Sequence, residues 1–174
     1  PAVGCRLRSP DSATIAGTTV KVGDADVATI ERGDRRALEQ RYRSAGSVVR
    51  EQLPPNAVVL SVWDSGAVRF HGRKEALVWE GLDPAWLDRS LDWLEKHRYR
   101  PYILVESWEE PGFRSRFGSQ SDFGKLDWPP KYEIDRSVRI YDPEDRVKYA
   151  RGDRVITQYV WPLRKNSLES PTAP

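Results

Sequence analysis

The chain has 174 residues, 39% hydrophobic and 31% charged, enough for one polar globular domain with its own core. Lys and Arg number 28 against 26 Asp and Glu, so the net charge of +2 carries no excess of the kind that marks nucleic-acid or membrane-surface partners. One Cys excludes an intrachain disulfide framework, and one Cys with two His cannot close a Cys/His zinc site, so neither metal nor cofactor is expected. No apolar run approaches the roughly 20 residues that cross a bilayer. Opening on Pro1 with no Met, the sequence reads as a piece of something longer.

Aromatic residues divide the chain: none precedes Tyr42 and none follows Trp161. Residues 1–33 are therefore expected to be a flexible lead-in, or at most a weak hairpin pairing Thr18–Val22 with Val27–Ile30. A single α/β domain is expected over 34–163, and a disordered tail over 164–174. Within the domain, Leu38, Tyr42, Ala45 and Val49 share one helical face, predicting a helix over 35–52 with Asp34 as its cap. Leu53-Pro54-Pro55 ends it. The run Ala57–Trp63 lacks alternation, which predicts a strand covered on both faces. Asp64-Ser65-Gly66 reads as a turn into a strand over Ala67–His71, and Gly72-Arg73-Lys74 leads to another over Ala76–Trp79.

Asp83-Pro84 is the sharpest local signal, an N-cap followed by proline at the first helical position. It predicts a helix with Leu87, Leu91 and Leu94 inward, Trp86 and Trp93 in the core beside them, and His97 at its negative end. A second apolar strand follows at Pro101–Glu106, then a short helix over Glu109–Phe117. Ser137–Tyr141 and Val155–Trp161 read as further strands. The fold class expected is a small three-layer α/β sandwich, with a mixed, mostly parallel sheet flanked by helices.

Ligands of open α/β sheets collect beyond the carboxyl ends of the strands. That rule selects Asp64 and Ser65 after the first buried strand, and Glu106 and Glu109 around the end of the second. Paired carboxylates there could share a proton or hold a cation; the plainer alternative is a turn at Asp64 and an Arg partner for Glu106. Ser65, His71 and Asp64 can be drawn as a triad, but Gly-x-Ser-x-Gly is absent. Cys5 has no electropositive niche. Trp108 and Trp128, in loops, are the better candidates for exposed sugar platforms, and Arg73 adds a cation. The ligand-binding candidates are thus Asp64, Ser65, Arg73, Glu106, Trp108, Glu109 and Trp128.

Several strings occur in an order that carries a resemblance: Leu53-Pro54-Pro55-Asn56-Ala57-Val58-Val59-Leu60-Ser61, Ser65-Gly66-Ala67-Val68-Arg69-Phe70 and Leu82-Asp83-Pro84-Ala85-Trp86-Leu87-Asp88. Tyr102-Ile103-Leu104-Val105-Glu106, Phe113-Arg114-Ser115-Arg116-Phe117, Leu126-Asp127-Trp128-Pro129-Pro130 and Ile140-Tyr141-Asp142 continue it. Together these resemble the C-terminal extramembrane domain of bacterial polytopic glycosyltransferases of the protein-mannosyltransferase-like type. The resemblance covers about 41–146. It implies an enzyme that draws sugar from a polyprenyl-phosphate donor on the extracytoplasmic, periplasmic face of the inner membrane. It places the catalytic acid in the membrane half, so no catalytic residue carries over. Where such domains have His before Ser-Gly, this chain has Asp64.

The expectation is a non-catalytic accessory domain whose partner is the transmembrane portion or its acceptor, with sugar or lipid-linked sugar as ligand and no nucleic acid. A stand-alone carbohydrate-binding module using Trp108 and Trp128 is the alternative. A small hydrolase using Asp64, Ser65, His71 and Glu106 ranks third.

Overall fold

A computed structural model describes residues 13–15, 18–20 and 39–161. The chain divides into two compact units, Pro1–Gln40 and Arg41–Pro174. In the first unit β1 (Ala13–Ile15) pairs antiparallel with β2 (Thr18–Val20). The strand expected from Thr18 is therefore present in part, but its partner is 13–15. Residues 27–30, Cys5, the Asp34 cap, Leu38 and the tail from 164 lie outside the described residues.

The second unit begins in α1, which is described over 39–52. Ala45, Val48 and Val49 are buried at helical spacing, and the Pro54-Pro55 pair closes the helix as its composition requires. The remaining elements are β3 (Ala57–Leu60), α2 (Ser65–Phe70), β4 (Glu75–Leu77), α3 (Leu87–Lys96), β5 (Arg100–Glu106) and α4 (Glu110–Phe117). They are followed by β6 (Tyr132–Ile134), β7 (Val138–Tyr141), α5 (Pro143–Ala150) and β8 (Gln158–Val160).

Six strands form one sheet in the order β4-β3-β5-β7-β6-β8. The pairings make β7 the one strand that runs against the other five, so the sheet is mixed and mostly parallel. Alternate residues of the central strands enter two separate cores, as period-two geometry dictates. Ala57, Val59, Tyr102, Leu104 and Ile140 join Val49 of α1 and Val68 of α2 on one face. Val58, Leu60, Ile103, Val105 and Tyr141 join Leu87 and Leu91 of α3 and Phe113 and Phe117 of α4 on the other. A fully buried Leu or Phe contributes roughly 1.5–3 kcal/mol, so both layers stabilise the sheet. This is the three-layer sandwich the apolar runs imply.

Two readings of the chain are corrected. Residues 65–70 form α2 and not a strand, which makes β3 and β4 parallel neighbours instead of a meander. Ala67 and Val68, adjacent in sequence, are both buried, a pattern that a strand with one covered face does not give. Glycines let α2 sit close to α1: a Cβ on Gly46 would lie 2.3 Å from the His71 Cβ, and one on Gly72 would lie 2.8 Å from Val49 Cγ1 of α1. The second correction concerns α3. Its start is as predicted, with Asp83 accepting from the Ala85 N–H at 2.9 Å before a turn of 3₁₀ helix. Its leucines face inward, but Trp86 and Trp93 are 54% and 55% exposed.

Candidate functional site

Strands β3 and β5 end at the same edge, and the register Leu60↔Ile103 lets β5 run three residues further, to Glu106. The chain leaving β3 turns through Ser61, Val62 and Trp63 into α2, which brings Asp64 back to that end. Asp64 occupies the N-cap position of α2 yet makes no cap bond with its side chain. Its carboxyl group lies within hydrogen-bonding reach of Glu106 instead. Both residues are 0% exposed, and Ser61 beside them is equally buried.

The surroundings supply little to these two acids. Glu106 Oε1 lies 3.1 Å from Arg41 Nη2, an ion pair by distance, but the guanidinium is off the hydrogen-bonding direction and both Glu106 oxygens accept no directed bond. Apart from that approach of the two acids, neither Asp64 oxygen nor the Ser61 hydroxyl has a hydrogen-bond partner among the described residues. Burial is the main force on both acids. It pushes Asp64 up to about 6, against the lowering influence of Arg41. It pushes Glu106 up to about 7, with the neighbouring Asp64 charge adding to the rise. Two carboxyls in reach of each other, facing one cation in a dry site, hold one proton between them near neutrality.

Glu109 completes the cluster in a different role. Its Oε2 accepts the Glu106 N–H at 2.8 Å and its Oε1 the Trp63 N–H at 3.5 Å, which ties the two strand ends together. Burial raises its pKa also, while those two N–H groups oppose the rise. Among the described residues no set of three His, Cys, Asp or Glu has an arrangement that could hold a metal ion.

The predicted site residues therefore separate. Asp64, Glu106 and Glu109 come together, and the expected Arg partner of Glu106 is Arg41. Ser65 opens α2 while His71 lies just past its other end, about 9 Å along the helix axis, so Ser65 and His71 cannot pair over the acids. Arg73, with φ +52°, precedes β4 at the amino edge of the sheet, away from the cluster. Trp108 is 54% exposed and meets Trp63 edge-on at 5.2 Å, a partner that Trp63's place in the apolar run concealed. Trp128 is not a platform. It is 3% exposed, packs edge-on against Tyr141 at 5.5 Å, and donates its indole N–H to the Asp142 carbonyl at 3.1 Å. Arg41, 65 positions from Glu106, is the functional residue that the sequence reading missed.

No family model, curated protein or solved structure matches the chain. The site must speak through its own geometry. Acids that are fully enclosed and hold a proton between them have no exposed face for a substrate, whereas the same edge of the sheet presents two indoles to solvent. Among the described residues no helix is long and apolar enough to cross a membrane.

Proposed function

We propose that the chain is a non-catalytic accessory domain of a bacterial membrane glycosyltransferase that uses a polyprenyl-phosphate-linked sugar, acting at the extracytoplasmic face of the inner membrane. One observation carries the reading: the groups that could do chemistry do not converge on an open cleft. Asp64 and Glu106 are sealed from solvent, and Ser65 and His71 stand at opposite ends of α2. A hydrolase needs nucleophile, base and an accessible reacting position together. The exposed Trp63–Trp108 pair supports recognition instead, since solvent-facing aromatic groups at a sheet edge mark contact surfaces more often than reaction centres.

Two measurements test this. Purified protein is expected to turn over p-nitrophenyl esters and glycosides no faster than its Ser65→Ala variant. The reading frame that encodes the chain, or one beside it, is expected to encode several apolar segments of about 20 residues. Turnover abolished by Ser65→Ala, or a gene context with no multi-span membrane protein, overturns the proposal.

A further inference from the structure

Helix α3 carries more apolar surface than its core uses. Leu87, Leu91 and Leu94 cover the sheet, while Trp86 and Trp93 lie seven residues apart on a neighbouring face, about 10 Å along the axis. Between that face and β4, at the edge of the sheet, lies a groove of about 520 Å³. Val58, Leu77 and Leu94 contribute to its lining, and Arg89, Ser90, Glu75 and Tyr99 contribute polar groups. Both indoles are braced. The Arg89 guanidinium sits 5.6 Å over the Trp86 ring, and the His97 imidazole stacks on Trp93 at 4.0 Å. His97 is itself held by the Trp93 carbonyl, to which Nδ1–H donates at 2.7 Å. Such rings lose little freedom when a ligand settles on them.

We infer that this groove is a binding site for a neutral oligosaccharide, laid with its C–H faces against the indoles of Trp86 and Trp93 and its hydroxyls toward Arg89, Ser90 and Glu75. The lining chooses among ligand classes. Among the described residues neither Arg89 nor Glu75 has an ion-pair partner, and their charges are opposite. A purely apolar chain would bury both without compensation, which is costly. An anion would gain Arg89 but meet Glu75, and a cation the reverse. A neutral, hydroxyl-rich ligand satisfies the two at once, because guanidinium and carboxylate are complementary to vicinal hydroxyls as donor and acceptor. Addition of a peptide strand to β4 is disfavoured: the strand has three residues, and the Arg69 side chain already donates to the Ala76 carbonyl at 2.6 Å. The volume lies within the roughly 300–1,000 Å³ of small-molecule sites. Tyr99 also borders a second, more polar groove of about 730 Å³ at the carboxyl end of α3, so a longer chain has a path onward.

The proposed glycosyltransferase role supplies only the biological setting for this groove. Titration of the purified chain with mannotriose, maltotriose, cellotriose and chitotriose, each to on the order of 10 mM, tests it through indole fluorescence. At least one is expected to bind saturably, with affinity lowered tenfold or more by Trp86→Ala or Trp93→Ala and unchanged by Trp161→Ala, an exposed indole outside the groove. Both groove tryptophans are half-exposed, so the variants are expected to keep the melting temperature, which shows that a loss of binding is not a loss of fold. No saturable binding by any of the four, binding indifferent to Trp86 and Trp93, or a fluorescence change that follows protein concentration and reports self-association overturns the inference. Any of those results leaves the gene-context and turnover tests untouched, and their failure leaves the binding titration untouched.

Discussion

The second unit buries carboxylates in two kinds of surroundings, and the two are opposite. Glu110, at the start of α4, accepts from Arg114 at 2.5 Å, Arg139 at 2.6 Å and the Tyr141 hydroxyl at 3.1 Å. Asp142, at the start of α5, accepts from Lys131 at 2.6 Å and from the Glu144 N–H at 3.0 Å, with Arg100 at 3.5 Å. Asp64 and Glu106, equally buried, have one misaligned Arg41 between them. The first set are pins, whose lone pairs are filled by cations and N–H groups from other elements. The second set hold protons because nothing better is offered. Burial alone does not tell a structural acid from an activated one; the partner list does.

Among single substitutions the largest expected effect comes from emptying a pin. Glu110→Ala leaves Arg139 and the Tyr141 hydroxyl without their acceptor. Such losses cost 3–5 kcal/mol when fully buried. Arg139 and Arg114 are 31% and 46% exposed, so water replaces part of the interaction and about 2–3 kcal/mol is expected at pH 7. Urea unfolding measures it. A loss below about 0.5 kcal/mol, the scale of an ordinary surface change, would remove the distinction drawn between the two sets.

The unsaturated set predicts the sign of the pH dependence. Asp64 at about 6 and Glu106 at about 7 titrate above the values near 4 that they take when unfolded. Between those limits the folded chain binds more protons than the unfolded one, so stability falls as pH rises. The contribution is complete below about pH 4 and lost through pH 6–7. The loss from pH 5 to pH 8 is expected to be roughly 3 kcal/mol, less than two independent groups would give because the pair is coupled. Asp122 and Glu144, whose salt bridges lower their pKa, act in the reverse sense and only under stronger acid. A stability maximum near pH 4 follows; a profile flat from pH 5 to 8 would contradict the dry environment assigned to Asp64 and Glu106.

Much of the frame behind this comparison was legible in the chain. Ala57–Leu60 and Pro101–Glu106 are unbroken apolar runs because both faces of β3 and β5 are covered, and the cap at Asp83-Pro84 was plain. The same grammar stands at Asp142-Pro143, where Asp142 takes the Glu144 N–H, and α5 went unread for want of an apolar stripe: its buried residues are Pro143 and Asp145. Residues 65–70 are too few to separate a helical period from a strand's, and the decision rests on how closely Gly46 and Gly72 let α2 approach α1. Trp86 and Trp93 were placed on one face correctly, but spacing cannot say whether a second apolar face is covered. Trp128 looked like a loop residue beside two prolines, and only the distant Tyr141 and Asp142 make it core. The acids at strand ends were found because topology puts them there. Their lack of partners was not, because partnership is a property of three-dimensional neighbours.

Glu106→Gln is the smallest and most discriminating change. At pH 8 the native pair confronts Arg41 with carboxylates that water does not reach, and neutralising one relieves repulsion from Asp64 and desolvation at the same time. The amide can also donate to Asp64, whose oxygens otherwise lack a donor among the described residues. A gain of about 1–2 kcal/mol is expected at pH 8, bounded by the loss of the 3.1 Å ion pair with Arg41. At pH 5 Glu106 is already protonated, so substitution there changes stability little, and the pH profile of the variant is flatter than that of the native chain. Urea midpoints at the two pH values decide. If the substitution costs more than about 2 kcal/mol at both, Glu106 is an ionised pin of the Glu110 kind, and the two regions do not differ in the way described.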